Sequence, residues 1–326
     1  MIIGKLIETT AGNPYLLASQ QLDKTNNLTM ARFVNKALEK LWPVGIHHER
    51  VRLFLTDGAA YMLKCGTNLK VFYPKLIHMT CLAHALNLMC EVIRHNFDDV
   101  DLLLSNIKKV FLKAPTRIQL YKELLPDTPF PPEPILTRWG TWIKAAIFLA
   151  DNFDKIKSVV IQFEDSASRA IEKAKKSLLS NDIKRHLIYI KTHFKIMPDS
   201  IKQLEAIGMC LSDSMYIIEN LRASLKCTPG EVGQLASRKL ELLLTKNPGF
   251  KHMTQINNIL SANDKVENIG VDVDMNCSIF KYNPITSCDV ERSFSRLKNT
   301  LTEKRASLIP EHLEQLLVCS ANAPYF

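Results

Sequence analysis

Hydrophobic and polar positions in the first 95 residues alternate between short apolar runs and helical stripes. The short runs predict four strands, at residues 1–10, 14–22, 50–56 and 75–80. The first two flank the turn residues Gly12 and Asn13, so we expect them to pair as a hairpin. Helical stripes follow the hairpin and each of the two later strands. This order predicts a mixed α/β layer.

After residue 95 the pattern becomes helical. Apolar spacings of three and four predict a helix that stops before Pro115, and a proline-rich connector follows at residues 126–134. Residues 137–244 have helical periodicity throughout. Two closing helices are predicted at residues 287–301 and 310–319, the second opened by Pro310, a residue favoured at the first helical position. We therefore expect an α/β part at 1–95, a helical insertion at 96–260 and a closing segment at 280–326.

The amino-acid composition shows an excess of basic over acidic residues. The chain has 326 residues, of which 46% are hydrophobic, and a net charge of +9. No run approaches the ~18 apolar residues of a membrane span, so no membrane partner is expected. Eight scattered cysteines favour reduced thiols over a disulfide framework. Residues 169–202 carry nine Lys or Arg against three Asp or Glu, which indicates either a solvated helix face or a surface that contacts phosphates.

Two acidic residues are candidates for metal chemistry. Asp57 ends an apolar strand before Gly58, where α/β folds place metal ligands, although an aspartate there also caps helices. Glu291 lies at the edge of the helical stripe formed by Val290, Phe294, Leu297 and Leu301. Thr286 and Asp289 have the capping-box spacing that opens this helix. Glu291 is thus either a structural partner for a base or a member of an acidic metal site.

Two further motifs carry candidate binding residues. Cys81 and His84 have zinc-finger-like spacing, but no second pair follows at finger distance, so no zinc site is expected. His84 is instead expected to orient an acid or a phosphate. Arg138 and Trp139 join a guanidinium that can bind phosphate to an indole that can stack on a base. The alternative for this motif is a buried tryptophan that anchors a helix to a sheet.

Together these motifs resemble the hAT superfamily of transposases and the host proteins derived from them. The similarity is spread over nearly the whole chain, and its specific parts are residues 55–62, 81–88, 137–142 and 285–317. The last part is similar to the C-terminal dimerisation region of the family. The residues that carry this similarity are Ser287, Glu291, Arg292, Phe294, Ser295, Lys304 and Arg305.

The resemblance implies a ribonuclease-H-like α/β fold, in which a mixed sheet is interrupted by a large all-helical insertion. It implies that Asp57 and Glu291 are the second and third catalytic acids, that Cys81 and His84 flank the site, and that Arg138 and Trp139 contact DNA. It also implies a homodimer. The residues expected to form the dimer contact are Phe294, Leu297, Leu313, Leu316 and Leu317.

One departure from the family decides the expected function. Met1 falls where the second strand of the family should begin, so the first catalytic aspartate and the upstream zinc-binding BED finger are expected to be missing. Two-metal phosphoryl transfer needs carboxylates from several elements, and Asp57 with Glu291 alone would hold a metal weakly.

We therefore expect a transposase-derived, non-catalytic nuclear protein, without a cofactor, that dimerises and binds DNA. One alternative is an active Mg²⁺-dependent transposase or nuclease whose first aspartate is absent only from this gene model. In that case Asp57 and Glu291 bind the metal. Another alternative is a truncated relic without a selected role.

Overall fold

The computed structural model describes residues 1–7, 11–135, 140–261, 277–301 and 308–325. The strands of these ranges are β1 (Ile2–Ile7), β2 (Ala11–Ala18), β3 (Leu53–Thr56) and β4 (Ile77–Thr80). Their α-helices are α1 (Asn27–Leu41), α2 (Ala60–Phe72), α3 (Leu82–Arg94), α4 (Asp98–Phe111), α5 (Pro115–Leu124), α6 (Thr141–Asp151), α7 (Phe153–Ile161), α8 (Arg169–Leu178), α9 (Asn181–Phe194), α10 (Ile196–Leu204), α11 (Leu211–Lys226), α12 (Gly230–Lys246), α13 (Phe250–Leu260), α14 (Cys288–Thr300) and α15 (Pro310–Asn322). Short 3-10 helices occupy His48–Arg50, Asp165–Ala167, Cys277–Phe280 and Ala323–Tyr325.

Helices make up most of the described chain, and the strands form two small, separate sheets. β1 pairs antiparallel with β2, and β3 pairs parallel with β4. Within the described ranges no strand joins one pair to the other. The predicted ribonuclease-H-like α/β fold, with one extended mixed sheet interrupted by helices, is therefore wrong. β3 and β4 are only four residues long, and asparagine side chains, not further strands, bind backbone groups of β2 and β4.

The hairpin of β1 and β2 packs against the last helix. Ile3 lies opposite Leu16 in the antiparallel register, which confirms the predicted hairpin. The predicted turn at Gly12 and Asn13 is wrong, because both residues belong to β2. Leu16 is buried together with Leu317 of α15, and Leu297 and Leu313 pack against this cluster. Burying a leucine contributes roughly 1.5–3 kcal/mol. The closing helices therefore belong to the hydrophobic core of their own chain.

Two asparagine amides bind strand backbone as a neighbouring strand would. The Asn322 side chain accepts a hydrogen bond from the Leu16 N–H at 2.9 Å and donates one to the Leu16 C=O at 3.1 Å. The buried Asn247 side chain does the same at Thr80, with distances of 3.0 and 2.8 Å. Each amide satisfies one donor and one acceptor that the short sheet leaves open. We call these contacts the asparagine clamps.

The parallel sheet holds a buried histidine. His78 of β4 lies 3.0 Å through Nε2 from the Thr56 hydroxyl, and burial, aided by the charge of Lys70, lowers its pKa to about 4. A Cβ at Gly66 would lie 2.1 Å from His78 Nδ1, and one at Gly249 would lie 2.6 Å from the His78 carbonyl oxygen. Both positions need glycine because any side chain would displace the neutral imidazole or its strand.

The closing helices begin and end within a few residues of their predicted bounds. α14 covers Cys288–Thr300 and α15 begins at Pro310, so both predictions are confirmed. The predicted capping box is wrong. The Thr286 hydroxyl donates to the Leu204 carbonyl oxygen at 3.2 Å, and Asp289 pairs with Arg292. A tertiary contact thus engages Thr286, and an ion pair within α14 engages Asp289.

The chain divides into two compact units. Unit 1 comprises residues 1–85, 204–217 and 242–326, and unit 2 comprises residues 86–203 and 218–241. In unit 2, α4 carries three aspartates in its first turn and two lysines in its last turn, which matches the helix dipole. The division predicted at residues 95, 260 and 280 stays a prediction.

Among the described helices, none has an apolar stretch of the length that crossing a bilayer requires.

We expect Asn247→Asp to lower the free energy of unfolding by ~3 kcal/mol, because a carboxylate cannot donate to the Thr80 carbonyl and would be buried beside it. Urea denaturation followed by circular dichroism measures the change. Asn220→Asp is the matched control, since Asn220 is exposed on α11, and we expect a change within about 0.5 kcal/mol. Equal effects of the two substitutions would contradict the clamp.

Candidate functional site

Asp57 follows the last residue of β3 and is half-buried. Its Oδ1 accepts a hydrogen bond from the Ala59 N–H at 3.2 Å, directly before α2. One carboxylate oxygen thus binds the amide of Ala59, which is itself the N-cap residue of α2, so the alternative in which Asp57 caps the helix is wrong. A position next to the end of β3 also brings the side chain towards the residues that follow β4, because the two strands run parallel.

Cys81 and His84 lie at the junction of β4 and α3. The Cys81 N–H donates to the Thr56 carbonyl at 2.7 Å, so the parallel pairing extends up to the cysteine. Cys81 is buried, with 1% of its surface exposed, and its sulfur accepts a hydrogen bond from the Ser287 N–H at 3.1 Å. This contact joins the end of β4 to the start of α14.

Glu291 lies one helical turn after Ser287 on α14. Its Oε1 is 3.7 Å from His84 Nε2, and both side chains are partly exposed. His84 also interacts electrostatically with Asp57. The structure therefore brings Asp57, Cys81, His84 and Glu291 together, although more than two hundred residues separate the two acids in the chain. Their assignment as catalytic or supporting residues stays a prediction.

Electrostatics in this cluster favours a positively charged histidine. The hydrogen bond to Cys81 raises the pKa of His84; burial opposes this shift, and the charges of Cys81, Glu291 and Asp57 add to it, so that the pKa lies above its usual value. Burial alone would raise the pKa of the Cys81 thiol. The hydrogen bond and charge of His84, with the hydrogen bonds from Ser287, outweigh burial and lower that pKa. Each group of the pair therefore shifts the pKa of the other in the direction that favours a thiolate beside an imidazolium.

The two acids do not fit a two-metal centre. A protonated His84 interacts with both carboxylates, and one oxygen of Asp57 accepts the Ala59 amide. A divalent cation at the acids would face this imidazolium, and like charges at short range repel. In the part of the chain that the structure describes, no group of three or more His, Cys, Asp or Glu side chains could hold a metal ion.

A second thiol lies next to the cluster. Burial raises the pKa of Cys288, the first residue of α14, to about 12, and the charge of Cys81 adds to the shift. Cys288 is therefore a neutral, buried side chain of the core at physiological pH. The two neighbouring cysteines have opposite protonation behaviour because only Cys81 has an imidazole partner.

Four of the remaining predicted residues lie outside the described ranges: Arg138, Trp139, Lys304 and Arg305. The nearby Trp142 is buried in unit 2, and its indole N–H donates to Asp101 at 2.8 Å.

The predicted dimerisation residues divide into two groups. Leu297, Leu313 and Leu317 pack within the chain. Phe294 and Leu316 are exposed, with 43% and 39% of their surfaces accessible. Only the second group is available to a partner.

No sequence pattern points to the Ser287 amide, although it binds Cys81. The contact joins positions 206 residues apart and uses a backbone group that every residue type except proline carries. In the sequence, Arg292 belongs to the motif of the closing segment, which does not indicate its contacts. It donates to the Glu205 carbonyl oxygen at 3.2 Å and pairs with Asp289, so it holds α14 against the segment after α10.

We expect Glu291→Gln to lower the pKa of His84, because the substitution removes a negative charge that favours the imidazolium. Asp57→Asn should lower it less. NMR titration of the histidine Cε1–H resonances measures both shifts. Asp289→Asn is the control, since Asp289 pairs with Arg292 on the same helix. An unchanged His84 pKa in Glu291→Gln would contradict the proposed contact.

No family model and no curated protein matches this sequence. The resemblance to hAT transposases therefore rests on the four sequence motifs alone, and it stays a prediction.

Proposed function

We propose that this chain is a non-catalytic, transposase-derived nuclear protein that acts as a homodimer and binds DNA. The proposed dimer rests on one observation: the two closing helices expose apolar side chains. The hAT resemblance supplies the ancestry and the nuclear location. The cluster around His84 supports a structural role for the former site, and a basic helix in unit 2 supports DNA binding.

The closing helices each have one face in the core and one apolar row outside it. On α14, Phe294 and the following Leu301 are exposed at a spacing of seven residues. On α15, the preceding Ile309 and Leu316 are exposed at the same spacing. A spacing of seven places residues on the same side of a helix. We define these four side chains as the outer apolar face.

A second copy of the chain is the occupant that this face favours. The predicted dimerisation region contains the outer apolar face, and its other leucines already pack within the chain. Isologous dimers bury the same patch from both subunits, so one apolar face suffices for association. Obligate dimer contacts are more hydrophobic than ordinary protein surfaces.

The His84 cluster supports a non-catalytic role. The imidazolium form of His84 offsets part of the negative charge of Asp57 and Glu291. The Ser287 amide and the buried Cys81 sulfur connect α14 to the end of β4. The cluster thus resembles a structural ion-pair junction, as in the alternative in which Glu291 serves as a partner for a base.

The basic stretch supports DNA binding through one helix face. Four of its nine cations pair with acids of unit 2: Lys175 with Asp165, Lys184 with Asp154, Arg185 with Asp182, and Lys191 with Asp151. Arg169, Lys173 and Lys176 are exposed on α8 at spacings of four and three residues. None of these three has an acid partner among the described side chains. Such a row can contact successive phosphates.

We expect the purified protein to have twice its chain mass of 37.0 kDa, and Phe294→Asp to make it monomeric, because a carboxylate would be buried in the contact. Light scattering coupled to size-exclusion chromatography at micromolar concentration measures the mass. Phe72→Asp is the matched control, since Phe72 is 63% exposed on α2 outside the closing helices, and it should stay dimeric. A monomeric wild-type protein would refute the dimer.

We expect the double substitution Lys173→Gln and Lys176→Gln to weaken binding to duplex DNA. The slope of log Kobs against log salt should fall by about 2, because two phosphate contacts are lost. Fluorescence anisotropy over a salt series measures the slope. Lys184→Gln with Lys191→Gln removes the same net charge from cations that already have acid partners. If both pairs change the slope equally, α8 is not the contact surface.

A further inference from the structure

Unit 2 contains an apolar groove with a charged rim. The groove has a volume of about 260 Å³ and lies between α4, α5, α6 and the proline-rich segment that follows α5. Its floor consists of buried side chains, among them Leu104, Ile107, Phe111 and Leu149. At ~30 Å³ per water-sized group, the space holds roughly nine non-hydrogen atoms. This is the size of a small molecule or of a short alkyl chain.

The proline-rich segment covers the groove and is fixed at both ends. The Tyr121 hydroxyl donates to the Pro129 carbonyl at 2.8 Å. The Phe130 ring lies 5.1 Å from Phe111 and 5.3 Å from Tyr121 in edge-on geometry. At the other end, Glu133 forms an ion pair with Lys108. These contacts fix the proline-rich segment along the groove, and the space between this segment and the helices stays open.

The cover is suited to an apolar ligand. Pro131 and Pro132 line the groove, and neither has a backbone N–H that would require a hydrogen-bond acceptor inside it. The interior therefore presents aliphatic and aromatic carbon with few polar groups. Cavities of this kind favour hydrocarbon over water.

The rim of the groove carries an excess of positive charge. Lys108 and Lys113 line it, against the single carboxylate of Glu133. Lys113 has no acid partner among the described residues. It lies just after α4 with a φ of +52°, a left-handed conformation that glycine adopts with the least strain. The end of α4 thus places a second ammonium group at the opening.

We propose that this groove binds a small amphipathic carboxylate, with its alkyl chain over Leu104 and Ile107 and its carboxylate at Lys108 and Lys113. The Glu133 side chain shows that a carboxylate can reach Lys108 at this rim. A ligand carboxylate replaces that partner or joins it through Lys113. Neither the dimer contact nor the DNA-binding row takes part in this site.

Octanoate is the test ligand, since its seven-carbon alkyl chain and its carboxylate match the groove and the rim. Isothermal titration calorimetry with the full-length protein measures its dissociation constant. We expect octanoate to bind about tenfold more tightly than octanol, because two partly exposed ammonium groups each favour the anion by a few-fold. Absence of octanoate binding overturns the proposal, and so does equal binding of octanol.

Two rim variants test the position of the carboxylate, and both alter exposed side chains. Glu133→Gln removes the internal competitor for Lys108 and should strengthen octanoate binding about threefold. Leu112→Asp adds a negative charge at the rim and should weaken it by a similar factor. Glu164→Gln changes the same net charge at an exposed position outside the groove and should leave the affinity unchanged. If Glu133→Gln behaves like Glu164→Gln, the carboxylate does not bind at this rim.

A third variant tests the alkyl site. Ala145 lines the groove and is buried, so Ala145→Phe should fill the space and abolish octanoate binding. Thermal melting followed by circular dichroism establishes whether this variant folds. Octanoate binding to a folded Ala145→Phe protein at wild-type affinity overturns the proposal. If the variant does not fold, the two rim variants still decide the question.

Discussion

The amide of Asn247 binds both the N–H and the C=O of Thr80, and the geometry of the candidate site depends on this contact. Thr80 is the last residue of β4, so the clamp fixes the point at which the chain turns into α3. Cys81 follows at once and accepts the Ser287 amide, which sets the start of α14. Glu291 then reaches His84 from one turn further along. A side chain more than 160 residues away thus determines where two acids and a histidine meet.

The cluster that results has the charge balance of a structural junction. Cys81 is buried, and its sulfur accepts a hydrogen bond within the core. The hydrogen bond to Cys81 and the charges of Cys81, Glu291 and Asp57 raise the pKa of His84, which favours its imidazolium form as their counter-ion. The same residue types can serve nucleophilic chemistry where a thiolate is open to substrate. Here Cys81 is buried, which supports the structural role proposed for the cluster.

Local patterns in the sequence predicted the elements better than the contacts between them. The hairpin and the two closing helices follow from apolar spacing and Pro310, which act over a few positions, whereas the predicted turn residues Gly12 and Asn13 lie in β2. The extended sheet was predicted wrongly because strand pairing is non-local, and side-chain amides bind strand backbone at β2 and β4. No helix was predicted between Pro115 and the connector at residues 126–134, although proline suits the first helical position, where α5 begins. Asp57 and Glu291 were predicted to meet, but the role of His84 as their counter-ion could not be read from its spacing to Cys81.

The residue after each asparagine clamp bears on how the protein ages. Asparagine deamidates when the backbone nitrogen of the next residue attacks the side-chain amide and closes a succinimide ring. Asn247 precedes Pro248, whose nitrogen carries no hydrogen and cannot react in this way. Asn322 precedes Ala323, which leaves that route open. Chemical ageing should therefore release the terminal helix from the hairpin while β4 keeps its amide partner.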